Sequence, residues 1–126
     1  MVITEIEQRK PVWSALSKFY LDTEVSEEEI TRIAKVFRTS RYSIEELKEI
    51  NYSEVAPVVY TNLLSTAGVW EGCDEEWLYE QIAKEQLKGK GMIAKLFRPF
   101  YREQTDKACK DIWQAVEREM INLPEL

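Results

Sequence analysis

The chain has no histidine among its 126 residues. That excludes schemes in which an imidazole acts as general base, the Ser-His-Asp and Cys-His arrangements, and the usual zinc and non-haem iron sites. Cysteine is nearly as scarce: Cys73 and Cys109 are the whole complement, with no Cys-x-x-Cys. Two reduced thiols are expected rather than a disulfide framework, although a fold that brought them together would allow a bond. Glycine occurs four times, and Gly89-Lys90-Gly91 lacks the strand and the spacing of a phosphate-binding loop. No apolar run approaches the roughly 20 residues of a membrane span. The opening Met-Val-Ile-Thr-Glu-Ile-Glu-Gln-Arg-Lys lacks the apolar centre of a signal peptide. The expectation is a cytoplasmic protein.

What is present describes an acidic globular domain. Hydrophobic residues make up 44% of the chain and charged residues 32%, a balance that folds rather than stays disordered. The length suits one domain, 1–126, large enough to bury a core without disulfides or metal. A net charge of −6 disfavours general binding to nucleic acid or an anionic membrane. The charge is uneven. Residues 1–83 carry eight basic against sixteen acidic side chains, whereas 84–110 carries eight against three. A basic, amphipathic segment therefore sits on an acidic body.

The apolar spacing predicts an all-α bundle of five to seven helices. Residues 1–9 read as an arm. Pro11 reads as the first turn of a helix, where its missing N–H does no harm, with Val12, Leu16, Phe19 and Tyr20 on one face and Trp13 beside it. Ser26-Glu27-Glu28-Glu29 and Ser43-Ile44-Glu45-Glu46 are capping boxes, each pairing a serine hydroxyl with a glutamate three residues on. Between 52 and 64, Pro57 predicts a helix broken or restarted near Ser53, with a short strand at 57–60 as the alternative. Pro99 likewise predicts an interruption, with Arg98 biased away from helix. The last helix is expected over 104–120.

One stretch, Asn62–Ile82, gathers Trp70, Trp77, Gly68 and Gly72 into a turn region that opens a helix near Glu75. It reads as a structural hub. The expected core is Leu16, Phe19, Ile30, Ile33, Phe37, Leu47, Ile50, Leu63, Trp77, Leu78, Ile82, Ile112, Trp113 and Val116.

Chemistry is harder to find. Glu27–Glu29, Glu45–Glu49 and Asp74–Glu76 with Glu80 offer oxygen ligands for Mg²⁺ or Ca²⁺ and so a carboxylate-metal hydrolase. Each cluster also opens a helix, where negative charge is favourable in itself, and that reading is preferred. No metal site, catalytic residue or cofactor is assigned. The 84–110 segment interleaves Arg98, Arg102, Lys107 and Lys110 with Phe100 and Tyr101, a composition that would suit single-stranded nucleic acid. An amphipathic helix with a solvated basic edge, docked onto the acidic body, explains it better and is the preferred reading.

Lys10-Pro11-Val12-Trp13-Ser14-Ala15-Leu16, Tyr42-Ser43-Ile44-Glu45-Glu46-Leu47, Glu54-Val55-Ala56-Pro57-Val58 and Asn62 through Leu78 resemble a family of short bacterial proteins that is a domain of unknown function. The resemblance covers about residues 9–83. It implies a bacterial cytoplasmic protein and supplies no catalytic residue or substrate. The functional expectation is a protein-binding module, in its specific form an immunity protein neutralising a basic toxin. Glu27, Glu28, Glu45, Glu49 and Glu71 would form its acidic surface, with Trp70 as an apolar anchor.

Overall fold

Both serine-led helix starts fall where the sequence puts them. Ser43 Oγ accepts from the Glu46 N–H at 3.1 Å, and Glu46 Oε1 accepts from the Ser43 N–H at 3.1 Å, a complete capping box. Ser26 Oγ accepts from the Glu29 N–H at 3.2 Å. The reciprocal bond is absent there, because the Glu29 carboxylate is drawn to Arg32 at 2.7 Å and to Lys18 at 3.3 Å.

The computed structural model of the chain describes residues 3–20, 25–65, 75–87 and 91–124, with the side chains of 3, 61–65, 86–87 and 91–98 outside that description. Seven α-helices are found among the described residues, and no strand: α1 Ile3–Ser17, α2 Glu27–Ser40, α3 Ile44–Ile50, α4 Ala56–Ser65, α5 Glu75–Leu87, α6 Gly91–Ala108 and α7 Lys110–Asn122. A 3-10 turn, Lys18–Tyr20, extends α1. A π turn, Asn51–Val55, joins α3 to α4 without a break. The fold is all-α, as expected.

Two of the three helical prolines, Pro11 and Pro99, behave differently from the sequence expectation. Pro11 lies inside α1, which starts at Ile3, so the N-terminal segment is helical from residue 3 rather than a loose arm. Contacts on both sides hold the helix through it: Ile6 and Arg9 before, Val12, Trp13 and Leu16 after. Near Ser53 the regular α-helix gives way, as expected, to the π turn, and α4 begins at Ala56 with Pro57 in its first turn; 57–60 is helix rather than the alternative strand. A proline there in a regular α-helix would press its ring against the Ser53 carbonyl. The π turn opens the helix immediately before it, with the Ala56 N–H reaching back five residues to the Asn51 carbonyl. Pro99 lies within α6, which runs on to Ala108. Residues 104–108 therefore belong to α6, and the last helix begins only at Lys110, after a break at Cys109.

The core is aromatic at its centre. The Phe19 ring meets Trp113 edge-on at 4.9 Å, and Phe37 stacks on Trp113 at 5.7 Å. Leu16, Ile33, Leu47, Ile50, Leu78, Ile82 and Val116 pack around them as predicted. Ile30, Trp77 and Ile112 are only partly buried, because each sits at the edge of the cluster. Trp13, taken to lie beside the core face, is completely buried. Residues 66–74 of the hub, with Gly68, Trp70, Glu71, Gly72 and Cys73, lie outside the described residues, as does the Leu63 side chain. The π turn touches α1, α5 and α6 as well as its own neighbours in sequence, so it stands near the middle of the bundle.

Candidate functional site

The most polar part of the interior is the π turn. Asn51, Tyr52, Glu54 and Val55 are all buried. Glu54 is 7% exposed. Its Oε1 accepts from Trp13 Nε1 at 2.8 Å, and its other oxygen is ion-paired with Arg9. Burial pushes the Glu54 carboxyl above its ordinary range, against the opposing pull of Arg9 and Trp13. Burial works against the Arg9 charge as well, but Glu54 and Tyr42 outweigh it and the guanidinium is held more firmly protonated. Arg9 also lies over the Tyr42 ring, 5.7 Å from its centroid. Both Glu54 oxygens are engaged by the chain's own donors. The geometry is that of a brace tying α1 to the π turn.

The other side of the π turn faces a series of tyrosines. Asn51 Oδ1 accepts from Tyr20 Oη at 2.5 Å, while Asn51 Nδ2 is buried with no hydrogen-bond partner. Tyr52 donates to Asp106 Oδ1 at 2.6 Å, joining the turn to α6. Burial, with Asp106 adding to it, raises the Tyr52 hydroxyl. Tyr20, Tyr60, Tyr101 and Phe100 follow one another at 5.8, 5.8 and 5.5 Å between ring centroids. Cys109 is free and buried, its thiol pushed up to about 12 by burial. Cys73 lies outside the described residues.

The acidic clusters each commit one carboxylate to structure. Glu29 pairs with Lys18 and Arg32, Glu46 closes the capping box, and Glu75 accepts from Ser14 and Tyr79, both at 3.1 Å. Glu27, Glu28 and Glu45 remain exposed, and among the described residues none of the three is ion-paired. Glu49 is exposed and accepts from Ser53 Oγ at 3.0 Å. These residues do not converge on one point. Glu27 and Glu28 open α2, and Glu45 follows its far end, about 20 Å away at 1.5 Å per residue. Among the described residues, no group of three or more Asp, Glu or Cys is placed to hold a metal ion. No described helix is long and apolar enough to cross a membrane.

The basic-aromatic residues are also divided. Phe100 is 52% exposed, and Lys107 shares its face of α6 but pairs with Glu103 at 3.5 Å. Arg102 is exposed on another face, and Lys110 opens the next helix. Tyr101 is only half exposed, because it stacks on Tyr60. The Arg98 side chain lies outside the description.

Glu54 was missed by the sequence reading, which favoured clusters. The signal was its isolation: it is the only charged residue from Ile50 through Trp70. A single carboxylate in so apolar a helix has to be buried with a partner or turned to solvent.

Together these features define an all-α protein whose helices gather around a polar π turn. The chain belongs to the family described as Domain of unknown function (DUF7079), whose model matches residues 7–119. That match reaches well past residue 83, where the resemblance seen in the sequence stopped, and takes in α6 and most of α7. No curated protein and no solved structure matches the chain.

Proposed function

We propose that the chain works by binding another protein, through the exposed carboxylates at the starts of its helices. The observation that carries this reading is the set Glu27, Glu28 and Glu45: exposed, free of ion pairs among the described residues, and part of a chain of net charge −6. A basic partner surface would meet them with complementary charge, which speeds association and selects against wrong partners. The helix that lies between them in the chain, α2, is about 20 Å long, within the roughly 30 Å breadth of a standard interface of about 800 Å² per partner. Glu49, exposed and hydrogen-bonded to Ser53 Oγ, would add a further carboxylate to that surface. In its specific form, the protein is a bacterial cytoplasmic immunity protein, and the partner is a nuclease-type toxin, basic because it must hold phosphates.

The test is affinity purification from the native host with identification of what is retained. A stoichiometric protein that is lost on Glu27→Lys, Glu28→Lys and Glu45→Lys supports the reading. Recovery of nucleic acid or a small molecule, with no protein, ends it. The exposed Phe100 ring on α6 favours a second reading, single-stranded nucleic acid stacking on that helix. Anisotropy of labelled oligonucleotides at low salt decides it, and absence of binding there removes it.

A further inference from the structure

Between α1 and α2 lies a groove of about 530 Å³, within the range of small-molecule sites. Pro11 and Val36 give it an apolar lining over the fully buried Val12, and Lys35, Arg41 and Tyr42 also line it. Among the described residues no carboxylate lines it. In a chain of net charge −6, a cleft with two cations and no acid is a local reversal of sign. Lys35 and Arg41 are exposed, and among the described residues neither is ion-paired.

The second observation is backbone geometry. Arg41 caps α2 in the left-handed conformation, at φ 65° and ψ 9°, and is the one described residue other than glycine with a positive φ. Glycine or asparagine usually fills that place, because a β-carbon there is crowded. Such outliers concentrate at ligand sites, and this one brings a guanidinium to the groove. The carbonyls at the end of α2 contribute about half a negative charge. The two cations outweigh it.

We propose that this groove binds a small organic anion: one acid group held by Lys35 and Arg41, on an apolar body laid against Pro11 and Val36. The site is separate from the acidic helix starts and stands or falls independently of a protein partner. The probe is 8-anilinonaphthalene-1-sulfonate, titrated against the full chain by fluorescence, with amide chemical shifts locating it. Saturable one-to-one binding is expected, with shifts confined to residues near 8–12 and 35–42. Lys35→Glu with Arg41→Glu should weaken it about tenfold or more. Arg41→Gly separates charge from strain: it should raise the thermal midpoint while weakening binding about threefold. The uncharged analogue N-phenyl-1-naphthylamine should bind at least about tenfold more weakly. No saturable binding, shifts elsewhere, equal affinity for the uncharged analogue, or affinity unchanged by the double charge reversal each overturns the proposal.

Discussion

Glu45 and Glu54 are nine residues apart in the chain and live in opposite environments. Glu45 stands in the first turn of α3, open to solvent and without an ion pair among the described residues. Glu54 is enclosed by α1 and the π turn, with Arg9 and Trp13 on its oxygens. The difference teaches that a carboxylate's role follows from what the fold packs around it, not from the acids beside it in sequence. Clustered acids here supply the surface, while the solitary acid holds the interior.

The most damaging way to test that contrast is Glu54→Ala. It leaves Arg9 without its counter-charge and Trp13 Nε1 without an acceptor, and should cost about 3–5 kcal/mol in urea unfolding. Replacing both partners, Arg9→Met with Glu54→Leu, should recover most of the loss, because an apolar pair needs no desolvation of charge. A Glu54→Ala protein as stable as the parent would abolish the distinction between the two regions.

Glu54 should also leave a mark on the pH profile. Its carboxyl is raised in the folded state, so the folded chain holds the proton more tightly than the unfolded chain. Stability from this group is then full below the ordinary value of 4.5 and falls as pH rises through the folded value. Glu54→Gln should flatten that fall in stability curves measured from about pH 4 upward.

Smaller effects belong to the helix starts. Ser43→Ala should cost about 1 kcal/mol, since it removes the hydroxyl that accepts from the Glu46 N–H. Ser26→Ala removes the equivalent single bond to the Glu29 N–H and should cost a similar amount, as chemical denaturation of the two variants would show. Smallest is Glu45→Lys, worth about 0.3–1 kcal/mol through the helix dipole alone. Its stability should barely change under conditions where Glu54→Ala has unfolded.

The helix starts and much of the core were legible because they depend on local chemistry. Ser43 and Glu46 satisfy each other within one turn, and Leu47 and Ile50 follow at the helical period. The incomplete cap at Ser26 was not legible, since Lys18 from the end of α1 helps draw Glu29 away. Nor was the fate of Pro11 and Pro99, which lie inside helices that run on past them. Trp13 and Trp77 exchanged their expected weights: Trp13 is enclosed with its N–H on Glu54, and Trp77 sits at the margin. The exposed acids were visible in the sequence, but their spread along both ends of α2 was not. The Arg9–Glu54 brace spans 45 residues and has no local signature.

The π turn has a meaning for the lineage as well as for the fold. A helix that closes one ring over five residues instead of four contains a residue too many for its own repeat. Everything downstream is set about 100° out of phase with what precedes it. The turn therefore acts as a registration mark between the two halves of the 44–65 helix. A relative that lost a single residue within 51–55 would rotate Val58 and Val59 away from their present seats and carry a differently wired interior.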